Sequence, residues 1–232
     1  MKIGFIILCR YDSNRLPGKI LKKINGKPVL DYIIERLKLV DGNYQICIAT
    51  SKYQSDGPLV NYCKKKGINF FRGSKNNVAK RFLDCSLKMN IDYAVRINGD
   101  NLFTDPSIIT KMLNITKLNK WIFITNVLKR TFPEGISVEI IKVSHLKEKI
   151  AFFDKYEQEH VMPYFYKNLN EKKIFKLYNK SNLKEPRVNL AIDTPEDFKL
   201  ASEIINSMIS PSHTYTTEEI INLKNKLEYK NE

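Results

Sequence analysis

Ile3-Gly4-Phe5-Ile6-Ile7-Leu8-Cys9-Arg10-Tyr11-Asp12-Ser13-Asn14-Arg15-Leu16-Pro17-Gly18-Lys19 is the stretch from which the fold can be read. Ile3 to Leu8 is apolar at odd and even positions alike, the mark of a strand covered on both faces. Arg10 ends the run, and no small-residue cleavage site follows, so the stretch reads as a first strand and not as a secretion signal. Similar runs recur at Ile46 to Ala49, Asn69 to Phe71, Tyr93 to Ile97 and Ile122 to Thr125. Between the first four lie Val29 to Leu39, Leu59 to Lys66 and Val78 to Met89, each with apolar residues at helical three and four spacing. Alternation of this kind predicts a parallel sheet with helices on both faces.

Beyond about Asn126 the pattern loosens. Phe132 to Val143 reads as extended with a turn at Pro133 to Gly135, and Tyr156 to Lys167 reads as a helix. Ile174 to Tyr178 and Val188 to Ile192 read as further strands. Thr194 with Pro195 opens a helix running to about Met208, and an amphipathic helix over 216–228 closes the chain. No repeat and no Gly/Ser linker divides the 232 residues, so one domain over 1–232 is expected, with an excursion at about 130–180.

Composition removes several classes. With 43% hydrophobic and 28% charged residues the chain is neither disordered nor a stapled miniprotein. Its longest apolar runs fall far short of the roughly 20 residues that a membrane helix needs. Cys9, Cys47, Cys63 and Cys85 form no C-x-x-C pair, and a reduced, cytoplasmic protein without a membrane partner is expected. The net charge of +14 invites a nucleic-acid reading. Its lysines are scattered, however, and the strongest cluster sits in one loop beside carboxylates that would repel a nucleic-acid backbone, so a nucleic-acid partner is not expected.

That loop carries phosphate chemistry. Arg10 and Arg15 offer planar forks to phosphate oxygens, Lys19 a point charge, Ser13 a hydroxyl, and Gly18 a backbone that a ligand can approach closely. A Walker loop is excluded, because it needs Gly where Ser13 stands and Ser or Thr where Ile20 stands. The plain alternative is a solvated basic turn. Two strand-end carboxylates answer the cations: Asp100 in Val95-Arg96-Ile97-Asn98-Gly99-Asp100, and Asp193 in Ala191-Ile192-Asp193-Thr194-Pro195-Glu196-Asp197. Such a pair can share Mg²⁺ (or Mn²⁺) with substrate phosphates. Either could instead support a turn or the helix that Thr194 opens. Asp105 and Asp197 read as ordinary carboxylates of helix N-termini.

Arg10-x-x-Ser13-x-Arg15-Leu16-Pro17-Gly18-Lys19 resembles the signature of the sugar-activating cytidylyltransferases, the family of CMP-Kdo synthetase, CMP-sialic acid synthetase and the spore-coat polysaccharide biosynthesis protein F type. The last branch is most similar. The likeness extends through Ala49-Thr50-Ser51, Phe71-Arg72-Gly73-Ser74, Val78 with Arg81, Arg96 to Asp100, Pro133-x-Gly135 with Glu139, Glu159-His160-Val161 and Asp193 to Phe198, ending at about Ile205.

The resemblance implies a nucleotide-diphospho-sugar transferase fold, a GT-A-like, Rossmann-like mixed sheet covered by helices on both faces. It further implies CTP as substrate, CMP transfer to a sugar acid, sugar phosphate or related polar acceptor with release of pyrophosphate, a role in cell-surface glycan biosynthesis, and a homodimer formed through the excursion. Carried over, Arg10, Ser13, Arg15, Leu16, Gly18 and Lys19 would hold the triphosphate. Arg10, Lys19 and Asp100 would carry catalysis, and Asp100 and Asp193 the metal. Thr50, Ser51, Arg72, Gly73, Ser74, Arg81, Asn98 and Gly99 would lie along the nucleotide, and Glu139 and His160 in the acceptor pocket. Departures fall on the acceptor side: the branch tends to carry Asp, Arg and Thr where this chain has Ser137, Gln158 and Met162. A metal-dependent glycosyltransferase is the nearest alternative, but it would usually show a D-x-D motif where Gly99-Asp100-Asn101 stands.

Overall fold

The computed structural model describes residues 1–168, 170–179 and 188–229. Strand β1 (Ile3–Leu8) leads through the loop and a small hairpin, β2 (Lys23–Ile24) and β3 (Lys27–Pro28), into α1 (Val29–Leu37). There follow β4 (Gln45–Ser51), α2 (Gly57–Lys66), β5 (Phe70–Gly73), α3 (Val78–Lys88), β6 (Tyr93–Asn98), α4 (Pro106–Lys117) and β7 (Phe123–Thr125). The chain continues with β8 (Glu139–Lys142), α5 (Val143–Lys149), α6 (Lys155–His160), α7 (Pro163–Asn168), β9 (Ile174–Lys176), α8 (Pro195–Asn206) and α9 (Thr217–Glu228).

The principal sheet has seven strands in the order β5-β4-β1-β6-β8-β7-β9. Register pairs Phe5 with Ile46 on one side of β1 and with Val95 on the other. Side-chain alternation divides the core. Phe5, Ile7, Val95 and Ile97 face α1, α2, α4, α8 and α9, while Ile6, Leu8 and Ala94 face α3, α5 and α7. Both faces are covered, which is why these strands read as continuous apolar runs.

The sheet is mixed and not wholly parallel as the periodicity predicts. β8 runs antiparallel to both its neighbours, β6 and β7. No helix crosses over between β7 and β8, so β8 returns beside its predecessor, as a short non-crossover connection requires. The rest of 132–143 differs from its extended reading: only Glu139–Lys142 joins the ladder, and Val143 already begins α5. Asn126 satisfies part of the preceding loop, donating to the Ile136 carbonyl and accepting from the Val138 N–H.

The expected helix over 156–167 is two short ones, broken at Val161 with φ +71°. Pro163 disfavours helical backbone at Met162 and cannot donate to the preceding turn. The strand expected at Val188 to Ile192 makes one isolated bridge, Asn189 to Glu134. Its backbone bonds go to the Glu134 loop and to the carbonyl of Asp100. Leu169 and Lys180, within the expected excursion, lie outside the described residues, as do 181–187 and 230–232 of the expected single domain. Among the described residues no helix is long and apolar enough to cross a membrane, and the four cysteines are buried free thiols.

Candidate active site

The loop after β1 is closed by Gly18, whose N–H donates to the Tyr11 carbonyl at 2.7 Å. Its φ is +72°, a left-handed conformation in which other residues are strained, and an added Cβ would press on the Tyr11 ring at 3.3 Å. Leu16 is buried beneath the loop, so the polar residues around it turn outward. The buried Asp56 anchors the start of the loop, accepting from Tyr11 N–H at 2.6 Å and from Ser51 N–H, at the end of β4, at 2.9 Å. Asp12 holds Lys75 at 2.7 Å and accepts from the Ser55 hydroxyl. Burial alone would raise the Asp12 carboxyl; hydrogen bonds from Lys75 and Ser55 nevertheless keep it below the usual range.

Lys19, in the single 3-10 turn that follows, brings the loop and both carboxylates together. Its Nζ donates to Asp193 Oδ1 at 2.9 Å and to the Ile192 carbonyl at 2.7 Å, and stands 3.7 Å from Asp100 Oδ2. Arg15 meets the other oxygen of Asp193 at 3.0 Å. Asp100 is presented by Gly99, where a Cβ would lie 2.4 Å from the Cys9 Cβ; only glycine lets β6 end against β1 here. Burial pushes the Asp100 carboxyl above its ordinary range, with Lys19 pulling it down and Asp193 pushing it up. The helix-start role open to Asp193 goes to other groups: Thr194 caps α8, and Asp197 completes the capping box. Asp193 is left facing the cations.

Asp100 Oδ1 is buried without a hydrogen-bond partner among the described residues. With Asp193 it offers hard oxygen ligands, the donor chemistry of Mg²⁺ or Mn²⁺. Among the described residues no group of three or more His, Cys, Asp or Glu side chains gathers into a complete metal site. The residues therefore fit a cation whose coordination substrate phosphates and water complete.

These groups line a cavity of about 430 Å³, together with Arg10, Ser13, Asn14, Cys9, Val78, Arg81, Arg96, Asn98, Gly99, Glu159 and His160. Arg81 is buried on α3, donates to the Ser74 carbonyl at 2.6 Å, and is pushed down to about 10 by burial. Cys9 is no nucleophile candidate, because burial drives its thiol well above the ordinary range.

Eight candidates from the sequence do not line this cavity: Leu16 and Gly18 of the loop, Thr50, Ser51, Arg72, Gly73, Ser74 and Glu139. Thr50 and Ser51 are fully buried at the end of β4. Arg72 spends its guanidinium on the carbonyls of Ser51, Lys52 and Tyr53, and the Ser74 hydroxyl accepts from Asn77 N–H. Gly73 packs under Arg81. Glu139 also lies behind the lining, 2% exposed on β8, bound to Arg96 and the Tyr166 hydroxyl. Of the departures, Gln158 donates to the Phe153 carbonyl, Met162 is buried, and the Ser137 carbonyl accepts from Asn101. Sequence reasoning gave no site role to Asp56 or Arg96. The first carries no motif of its own, whereas Arg96 stood in plain view as a charge at a core position of a strand.

Cations of the loop after β1 facing hard oxygen ligands, one of them just past the end of the parallel strand β6, suit the transfer of phosphate groups. Comparison with known proteins narrows that class. The sequence model of the cytidylyltransferase family matches residues 4–229, and the chain belongs to that family. It is 36% identical over 206 residues to the uncharacterized protein MJ1063 of Methanocaldococcus jannaschii, covering 88% of this chain and 83% of that protein. It is 30% identical over 206 residues to the spore coat polysaccharide biosynthesis protein SpsF of Bacillus subtilis, covering 85% and 83%. A solved cytidylyltransferase structure from Leptospira borgpetersenii serovar Hardjo-bovis superposes with a TM-score of 0.90 at 31% identity, covering 99% of this chain and 96% of that one. The protein is thus a CTP-dependent nucleotidyltransferase, which displaces the glycosyltransferase alternative.

Proposed function

We propose that this enzyme transfers CMP from CTP to a polar sugar-type acceptor, a sugar acid or sugar phosphate, and releases pyrophosphate for cell-surface glycan synthesis in the cytoplasm. One observation carries the reading: Lys19 joins the cationic loop to Asp100 and Asp193 across a single cavity. Arg10, Ser13 and Arg15 hold the triphosphate, and Leu16 and Gly18 shape the loop that carries them. Lys19 steadies charge on the departing pyrophosphate, and Arg81 adds a buried cation from α3. Asn98 and Gly99 shape the floor beside the α-phosphate. Asp100 and Asp193 hold the divalent cation, which when bound supplies further charge neutralisation at the phosphates. The acceptor oxygen attacks the α-phosphorus in line, so the protein's work is positioning and electrostatics. His160, with Glu159, borders the acceptor. Thr50, Ser51 and Arg72 to Ser74 act by shaping the β4 and β5 ends on which the nucleotide rests.

The test is pyrophosphate release from each of the four nucleoside triphosphates with Mg²⁺, against keto-sugar acids, sugar phosphates and polyol phosphates, paired with thermal shifts. Release from CTP alone, in need of one acceptor, is expected. Because two carboxylates make an incomplete cation site, the largest shift should need CTP and Mg²⁺ together. No shift with any nucleotide overturns the reading. We also propose a homodimer through the excursion, supported by the exposure of Phe152 and Tyr156 there; a monomer mass in sedimentation would refute it.

A further inference from the structure

Arg96 is a charge at a core position, and its bonding is unbalanced. It projects from β6 on the face opposite Val95 and Ile97, and its side chain is only 16% exposed, at the cavity wall. Its Nη1 donates to Glu139 Oε2, while its Nε is buried with no acceptor among the described residues. Glu139 is in turn fully committed. The Tyr166 hydroxyl donates to its other oxygen, and the Arg130 charge also acts on it. A buried ion pair is weak support for stability, since apolar residues of similar size often serve as well. What the arrangement does achieve is to hold at the cavity wall a guanidinium bonded through Nη1 to Glu139.

Resting on the reading of this site as a CMP transferase, we propose that Arg96 is the receptor for an anionic group of the acceptor, and that Glu139 and Tyr166 position it. The phosphate-binding cations Arg10, Arg15 and Lys19 come from the loop after β1. Arg96 lies on the next strand and pairs across it with β8, away from β1. Glu159 and His160 of the separate α6 border the same cavity. Arg96 and Asp100 line the same cavity, so an anion held on Arg96 shares it with the carboxylate proposed to hold the metal. Two chemistries place an anion so near the attacking oxygen: a carboxylate on the carbon that bears the hydroxyl, or a phosphate whose own oxygen attacks. Both accept the guanidinium's parallel N–H donors.

Titration calorimetry on the full chain, saturated with α,β-methylene-CTP and Mg²⁺, separates the cases. The ligands are keto-sugar acids with their methyl esters, and sugar phosphates with their dephosphorylated sugars. Removing Arg96 alone would strand Glu139 without its cation, so the variant is the pair Arg96→Gln/Glu139→Gln, with Tyr166→Phe as a milder one. The wild type should bind one anionic class, and the neutral counterpart at least about tenfold more weakly. That preference should vanish in the double variant and shrink in Tyr166→Phe, with affinity for the CTP analogue changed by no more than about twofold. Equal binding of neutral and anionic ligands, or of no ligand in the panel, overturns the proposal. So does a double variant that loses the CTP analogue as steeply as the acceptor, since Arg96 would then serve the triphosphate. A wild type that fails to bind the analogue at all overturns the transferase reading itself, and this inference with it.

Discussion

Lys19 stands between two carboxylates, 2.9 Å from Asp193 and 3.7 Å from Asp100. On the proposed reading its loss removes a preorganised charge from the leaving-group side, and charge stabilisation of this kind is commonly the largest single contribution to catalysis. Lys19→Ala and Asp100→Asn should each lower turnover by about a hundredfold or more, measured as pyrophosphate release at saturating CTP. Near-normal turnover in either would remove that residue from the mechanism. Gly99 is the second residue on which the site hangs. Gly99→Ala places a methyl 2.4 Å from the Cys9 Cβ, so the ends of β1 and β6 must part. Overpacking of this sort costs about 1–3 kcal/mol, and a urea melt should show it. Adding Cys9→Gly removes the obstructing atom and should restore much of the loss; no recovery would locate the strain elsewhere.

The element that most needs explanation is α9, which lies far along the chain yet packs under the same core. Its cap is Thr216, and this frees the Thr217 hydroxyl to donate to Asp105 at 2.6 Å. Asp105 thus caps α4 and anchors α9 at once. Arg36 holds the approach to α9 by donating to the carbonyls of Thr104, Ser212 and Tyr215. Burial would raise the Asp105 carboxyl, but donation from Thr217 and Ser107 holds it below its ordinary 3.8. Because the folded value is the lower one, its stabilisation is complete above that ordinary value and is lost as pH falls through the folded value. Asp105→Asn keeps the cap of α4 but loses the charge, and should destabilise by about 1–2 kcal/mol at pH 7. Thermal melts should show the wild type and the variant converging at acid pH. A gap that stays constant down to pH 2 would rule out the carboxylate as its source.

Over the whole molecule, the +14 charge meets a substrate that is itself strongly anionic. A positive field raises the encounter rate with such a ligand, and salt screens it over a distance of about 8 Å at physiological strength. The kcat/KM for CTP should therefore fall severalfold between about 0.05 and 0.5 M KCl, with kcat little changed. Independence from salt would assign the excess lysine to something other than substrate capture.

The first half of the architecture was legible because each strand there is buried on both faces and each intervening helix on one, so burial is written directly into periodicity. The cationic loop was legible for a related reason: Pro17, Gly18 and three cations in ten residues have no use in a core. From Asn126 onward the chain pairs by contacts that no local pattern encodes. β8 enters between β6 and β7 because its connection carries no helix, Asn126 stands in for a strand partner, and Val161 with Pro163 breaks one helix into two. Arg72 and Glu139 had the right chemistry for a ligand, but tertiary structure spends the first on backbone carbonyls and the second on Arg96. The sequence by itself determined which residue types this protein has for phosphate and metal chemistry, since charge and hydroxyls are local properties. Only the tertiary structure decided which of them face the cavity, because that depends on which strands become neighbours.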